Sequence, residues 1–342
     1  MTSEVRNMCV LFLFEAGEKI GLGHWVRCIA LMQELQQGHP RIQCIGMTNP
    51  LNPILKRELE HSGLFCVENH KWSAAQVLDV AKQFCSTCIV LDLLDTSVAF
   101  VTELKPALKV ISIGGSGDGQ DHVHVRIDGM IERPGFSEGF RGEKLFPGTE
   151  YVILRKSFQD CKPIPIRNHI TNVLIALGGD AGGHGLMLAR LINRLDSAVQ
   201  IRVILGPLAR RTDETLPEGL QLCYDVADPI PPMRESDLAV TSGGMTTYEL
   251  LRLGVPTIIV PTVEAQVVPA VAFDERGVAK YIGRINENQT SLFAKLKEAW
   301  KLLASTKERR ALSREGRALV DGRGLQRVAR IIREEVTETI GP

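Results

Sequence analysis

Three short stretches place glycines beside residues that can do chemistry. The first is Ile20-Gly-Leu-Gly-His24. An imidazole takes and gives protons near neutral pH, so His24 has the makings of a general base. Gly21 and Gly23 let the backbone approach a ligand closely. The alternative is a plain turn with a histidine that only caps the helix after it. The stretch is not a dinucleotide fingerprint, which would need a glycine where Arg27 stands, and it lacks the Gly-Lys-Ser/Thr of a P-loop. The second stretch is Leu177-Gly-Gly-Asp-Ala-Gly-Gly-His-Gly185. Its run of glycines, Gly178 and Gly179 first, reads as a ligand loop more readily than as a structural turn. The third is Thr241-Ser-Gly-Gly-Met-Thr-Thr-Tyr-Glu249. Ser242, Thr246 and Thr247 offer hydroxyls, and Gly243 and Gly244 expose amides. At a helix start these form an anion cradle suited to a diphosphate. Glu249 lies three residues beyond Thr246 on the same helical face, where a carboxylate can accept both hydroxyls of a ribose. A capped helix with a solvated glutamate is the alternative there.

Each stretch follows a probable strand and opens a probable helix. Short β-branched runs mark strands at Cys9–Phe14, 41–47, Cys88–Asp92, 110–113, 123–127, 173–177, 201–205, Leu238–Thr241 and 257–260. Between them, Cys28, Leu31, Met32 and Leu35 fall at helical spacing and Gly38 stands at the expected stop. Ser73 and Gln76 form a capping-box signature. Further helices are expected at 184–195 and 245–253, and the chain from Ser291 onward reads as helical. Alternating strands and helices in both halves imply α/β architecture with parallel sheets covered on both faces. The polar stretch 159–169 carries Pro163 and Pro165 and interrupts the alternation. The expected division is therefore an N-terminal Rossmann-like domain (1–160), a linker (161–169), a C-terminal Rossmann-like domain (170–320) and a last helix (321–342) packing back on the first domain. Ligands of such sheets bind at the carboxyl ends of the strands, so the cleft between the domains is the expected site.

Composition narrows the partners. The 342 residues suggest about two domains at roughly 150 residues each. Forty Lys+Arg balance forty Asp+Glu, and aromatics make up only 5%. A nucleic-acid binder would show a basic footprint or a stacking platform, so nucleic acid is not an expected partner. No apolar run approaches the roughly 20 residues that span a bilayer, and no integral membrane segment is expected. The stretch from Met8 to Phe14 has only Arg6 before it and Glu15 after it, so it reads as a buried strand rather than a signal peptide. Most of the eight cysteines lie in apolar runs, as packing thiols of a cytoplasmic protein do. Cys85 and Cys88 form a CxxC at the start of a strand, where a redox pair would need a helix start instead. No His/Cys cluster has the spacing of a metal site, and no metal or cofactor is expected. The sequence assigns no oligomeric state.

In combination these segments resemble the GT-B superfamily of nucleotide-sugar enzymes. More narrowly, they are similar to the UDP-sugar hydrolases of pseudaminic acid biosynthesis and to spore-coat polysaccharide biosynthesis proteins. Those are relatives of the peptidoglycan glycosyltransferase that forms lipid II. The resemblance rests on Ile20 to Leu31, Tyr151 to Phe158, Val173 to Gly179, Asp237 to Glu249 running into Leu253-Gly-Val-Pro256, and Glu264-Ala-Gln266. It implies a small-molecule nucleotide-sugar substrate, with UDP held by the second domain. Gly243, Gly244, Thr246 and Thr247 would take the diphosphate, Glu249 the ribose, and Gly178 and Gly179 the nucleotide pocket. Glu264 and Gln266 would approach the sugar, and His24 would act at the anomeric centre without a metal. The implied reaction is hydrolysis to UDP and a free, amino-type sugar. The alternatives are transfer to an alcohol or lipid acceptor, and nucleotide-sugar binding without catalysis. This chain departs from the family at several positions. Leu13-Phe-Glu-Ala-Gly17 stands where an Arg-x-Asp-Ala-Ser run is usual. Leu94 replaces a tyrosine, Gly114-Gly115 an Asp-Asp pair, and Ala265 an asparagine. The nucleotide half is thus better kept than the sugar half.

Overall fold

The computed structural model describes residues 8–17, 22–38, 42–131, 138–178, 183–206, 216–224 and 226–340. The chain forms two compact units. One runs to Lys156 and takes up the chain again from Arg323; the other is Ser157–Gly322.

The first unit is built on seven parallel strands: β1 (Met8–Phe14), β2 (Ile42–Thr48), β3 (Phe65–Glu68), β4 (Cys88–Asp95), β5 (Lys109–Ser116), β6 (Val125–Asp128) and β7 (Lys144–Pro147). Their order is β3-β2-β1-β4-β5-β6-β7. Helices α1 (Gly23–Gly38), α2 (Pro53–Ser62), α3 (Ala74–Gln83) and α4 (Val98–Leu104) connect them. Successive side chains of a strand point to opposite faces. On β1, Val10, Phe12 and Phe14 join Leu31 and Leu35 of α1 in one core. Cys9, Leu11 and Leu13 join Val77 of α3 and Leu104 of α4 in the other. Both faces are thus covered, which is why β1 reads as an unbroken apolar run. The expected capping box is formed: Gln76 N donates to Ser73 Oγ at 3.3 Å, and Ser73 N donates to Gln76 Oε1 at 3.0 Å.

The second unit repeats the scheme with six parallel strands: β8 (Asn172–Ala176), β9 (Gln200–Leu205), β10 (Leu220–Tyr224), β11 (Leu238–Thr241), β12 (Thr257–Ile259) and β13 (Lys280–Tyr281). Their order is β10-β9-β8-β11-β12-β13. Helices α5 (His184–Leu195), α6 (Ile230–Glu235), α7 (Met245–Leu253), α8 (Val267–Glu275), α9 (Gln289–Leu303) and α10 (Thr306–Leu319) cover it. Residues 161–169, expected as a linker, lie on this unit, and so do 157–160, expected on the first domain. Phe158 is fully buried, and its carbonyl accepts from Arg252 Nε at 3.0 Å. Ile164 N donates to Leu253 O at 3.0 Å. The prolines forbid a helix here, yet the apolar residues between the polar ones still find a core.

The last helix, α11 (Gly324–Ile340), belongs to the first unit. Val328, Ile332 and Val336 enter the core shared by β1 and α1. Glu335 meets Lys144 at 2.6 Å and Lys109 at 3.2 Å. The apolar stripe, at roughly 1.5–3 kcal/mol per buried side chain, outweighs the partly exposed ion pairs, at up to about 1 kcal/mol each.

Candidate active site

In each sheet the chain reverses direction of winding beside its first strand. That switch point lies between β1 and β4 in the first unit and between β8 and β11 in the second. Open α/β sheets place ligands at the carboxyl ends of the strands there. The glycine-bearing stretches lie at these two places.

In the first unit, α1 begins at Gly23 and brings His24 beside the end of β4. His24 Nδ1 lies 2.6 Å from Asp92 Oδ1. Arg27 straddles the same carboxylate: Nη2 donates to Oδ1 at 2.7 Å and Nε to Oδ2 at 3.0 Å. The Cys28 thiol donates to Oδ2 at 3.7 Å. Asp92 is fully buried and His24 is 9% exposed. Burial alone would raise the Asp92 carboxyl. Arg27 and the hydrogen-bonded His24 ring outweigh it and hold the group well below the usual carboxylate range. Burial likewise opposes the charge on Arg27, but Asp92 more than restores it. The Cys28 thiol is pushed well up by burial and then by Asp92, so it stays protonated. An ionised carboxylate only accepts, so His24 Nδ1 must donate to it. The 3.2 Å approach of Arg27 Nη2 to Nδ1 is then a contact of two donors, not a hydrogen bond. In the neutral ring that leaves Nε2 as the acceptor, the form a general base needs.

The departures in this unit have structural grounds. Leu13 is a buried core residue. Gly115 lies where β4 and β5 lose register. Its φ is +97°, and a Cβ there would come within 1.9 Å of Leu93 O. No side chain fits this backbone. Gly114 is different: a Cβ would stand 3.7 Å from both Arg27 Nη2 and Asp92 Oδ1, so its absence leaves open the space beside the ion pair. Leu94 is 53% exposed. Gly21 lies outside the described residues.

In the second unit, β11 runs through Ser242, Gly243 and Gly244 into α7. Gly243 has φ +96°, and a Cβ would press on Ile259 and on Gln266 O at 3.3 and 3.4 Å. Gly244 is the N-cap of α7 and supplies no side-chain cap. A helix leaves its first N–H groups without intrahelical partners, and its dipole makes that end positive. Here no cap side chain occupies them. The turn is braced from two sides. Ser242 Oγ donates to Leu177 O at 3.3 Å, next to Gly178, while Gln266 Nε2 donates to Ser242 Oγ at 3.2 Å. Gln266 Oε1 in turn accepts from Thr262 N at 2.9 Å. Gly178, Ser242, Gly243, Gly244 and Gln266 are therefore brought together. Thr246 is half-buried beside them. Thr247 faces inward: it is fully buried, and its Oγ1 has no hydrogen-bond partner among the described residues. Glu249 is largely buried on α7. Glu264 is exposed and pairs with Arg284. Gly179 lies outside the described residues.

Two residues of the His24 cluster were not singled out from the sequence, Asp92 and Arg27. The signals were present. Asp92 closes the apolar part of a central strand, and Arg27 follows His24 by three residues on one helical face. Among the described residues, no group of three or more His, Cys, Asp or Glu side chains is placed to hold a metal ion. Among them, no helix is long and apolar enough to cross a membrane.

Residues 199–319, from β9 to α10, match the glycosyltransferase family 28 C-terminal domain. Over 94% of its length the chain is 24% identical to the spore coat polysaccharide biosynthesis protein SpsG of Bacillus subtilis, covering 96% of that protein. Among solved structures it is similar to MurG of Acinetobacter baumannii, with a TM-score of 0.65 at 15% identity, covering 95% of this chain and 99% of the other. It is also similar to UDP-GlcNAc 2-epimerase of Neisseria meningitidis, with a TM-score of 0.64 at 11% identity, covering 96% and 100%. The fold is thus the GT-B pair of Rossmann-like domains, and a full-length relative is named for polysaccharide biosynthesis. None of these names carries hydrolysis, and glycosyl transfer fits them better.

Proposed function

We propose that this protein is a glycosyltransferase that takes a sugar from a UDP-activated donor and passes it to a hydroxyl of a surface-polysaccharide precursor. The observation that carries the reading is the uncapped glycine turn before α7, which lies inside the segment matching the glycosyltransferase family. Gly243, Gly244, Thr246 and the first amides of α7 receive the diphosphate, with Ser242 bracing the turn. Gly178 lines the nucleotide, and Glu249 takes the ribose hydroxyls. Gln266 and Glu264 attend the sugar, Glu264 on leaving Arg284. His24 Nε2 takes the proton of the acceptor hydroxyl as its oxygen bonds the anomeric carbon. The bond from that carbon to the diphosphate breaks, and UDP leaves with the electron pair. Amides already aimed at the diphosphate stabilise the departing charge. The eight cysteines are all free thiols, which suits a reducing compartment, and we place the reaction in the cytoplasm.

The test is UDP release from a panel of UDP-sugars, with and without an extract of cell-envelope polysaccharide precursors. Release that depends on the extract and vanishes in His24→Ala supports transfer. Equal release without the extract makes water the acceptor, the hydrolysis that the sequence resemblance implies. UDP binding by calorimetry with no release from any donor would overturn catalysis and leave a nucleotide-sugar binder.

A further inference from the structure

We infer that Arg27 is a positioning residue for His24. Its guanidinium fork holds the Asp92 carboxylate in one orientation and in its ionised form, so that Asp92 fixes which ring nitrogen of His24 carries the proton. The inference rests on the reading of His24 as the base.

The geometry carries the argument. His24 and Arg27 are three residues apart on α1, so both face the same point on β4. Oδ1 of Asp92 takes His24 Nδ1 and Arg27 Nη2, while Oδ2 takes Arg27 Nε and the Cys28 thiol. With both oxygens engaged by one planar fork, the carboxylate cannot rotate without losing a bond. A lysine would supply the charge at one point but not the fork. The protonation state matters as much. An ionised Asp92 can only accept, which leaves His24 Nε2 bare; a protonated Asp92 can donate to Nδ1 and reverse the ring. Burial favours the protonated form, and Arg27 is the main group opposing it. The ionisable groups around the carboxylate are Arg27, His24 and Cys28, and Asp128 acts on Arg27 from beyond. Gly114, beside the pair on β5, brings no side chain to replace any of them. A buried ion pair is also a poor way to gain stability, because apolar residues of similar volume often pack as well or better. Its presence beside the His24 imidazole is better explained by what it does to that ring.

The experiment reads the ring directly. Long-range proton–nitrogen NMR spectra of histidine-labelled wild type, Arg27→Gln and Arg27→Lys are recorded across the neutral range. The wild type should show His24 protonated at Nδ1 and bare at Nε2. In Arg27→Gln the two nitrogens should approach averaged shifts. The acid limb of its UDP-release profile should move to higher pH, because Asp92 now protonates there. Its kcat should fall by roughly 10²-fold, the low end of what a general base supplies, with UDP affinity unchanged. Arg27→Lys should fall between the two. A folded Arg27→Gln with the wild-type ring spectrum and acid limb overturns the inference. If that variant does not fold, an Arg27→Lys indistinguishable from wild type in both readouts overturns it instead. The two readings fail separately. A locked wild-type ring without UDP release sinks the transfer reading alone, whereas a wild-type ring bare at Nδ1 sinks this one whatever the turnover.

Discussion

Replacing Asp92 by asparagine keeps the side chain's shape and removes its charge, so it isolates what the carboxylate does. The amide offers one oxygen and one NH2 where four donors now converge. With its oxygen toward Arg27 Nε, the NH2 meets His24 Nδ1. That nitrogen must then accept, the proton moves to Nε2, and the base is lost. With its oxygen toward His24, the NH2 confronts Arg27 Nε at the 3.0 Å now spanned by a hydrogen bond. Either way the Arg27 charge stays buried without its counter-charge. Breaking a buried pair in this manner costs about 3–5 kcal/mol. For a unit of this size that lowers Tm by roughly 6–20 °C. If the amide settles with NH2 toward the ring, kcat falls by roughly 10⁴-fold, as loss of the correct tautomer does in other aspartate-held histidines. A thermal melt and UDP release from the donor panel read the two effects. An Asp92→Asn protein that melts with the wild type and retains its kcat would refute both the buried pair and the fixed tautomer.

Four further outcomes follow from the same geometry. Because Asp92 is held below the usual carboxylate range in the folded protein, its stabilisation is complete above about pH 4, the unfolded value. It is lost progressively as the pH falls from there through the lower folded value; urea midpoints measured down into acid should decline more gently in Asp92→Asn. Gly115→Ala should destabilise by about 1–3 kcal/mol, since φ is +97° and Leu93 O blocks the Cβ; an unchanged urea midpoint would contradict that. Thr247→Val should be neutral or stabilising by up to about 1 kcal/mol, because it removes a buried hydroxyl without a partner among the described residues; a fall in the urea midpoint would reveal a hidden partner. Glu249→Ala should weaken UDP binding by about 1–3 kcal/mol if its carboxylate takes the ribose, and unchanged calorimetry would remove that role.

The interior of the fold was legible in the sequence, and its margins were not. The nine strands expected from apolar runs are the nine interior strands among the described residues. The four strands that went unread are β3, β7, β10 and β13, the edges of the two sheets. An interior strand of a parallel sheet is buried on both faces and reads as an unbroken apolar run. Phe65-Cys-Val-Glu68 and Lys144-Leu-Phe-Pro147 have one neighbouring strand each and no buried residue. The site divides in the same way. Glycine turns before helices are local signals, so residues 242–244 and His24 stand out by spacing. Asp92 lies 68 residues from His24, and no local pattern joins them. Only the order of the sheet, with β4 beside β1, does so. The Gly114-Gly115 departure shows the opposite limit. Read as lost chemistry, it is at Gly115 a backbone demand set by Leu93.

The two switch points give up stability in different ways. In the first unit, a carboxylate and a guanidinium are buried where apolar side chains would pack at least as well. The two charges offset each other beside the His24 ring. In the second unit, α7 starts on Gly244 where a serine or aspartate cap would add roughly a few tenths of a kcal/mol. Such a cap would compete for the first amides of the helix, of which Thr247 N donates to Gly244 O at 3.0 Å. The equal numbers of acidic and basic residues therefore say little about affinity for an anion. The first unit hides its opposite charges against each other, and the second presents partial charges of the backbone, which no count of side chains includes.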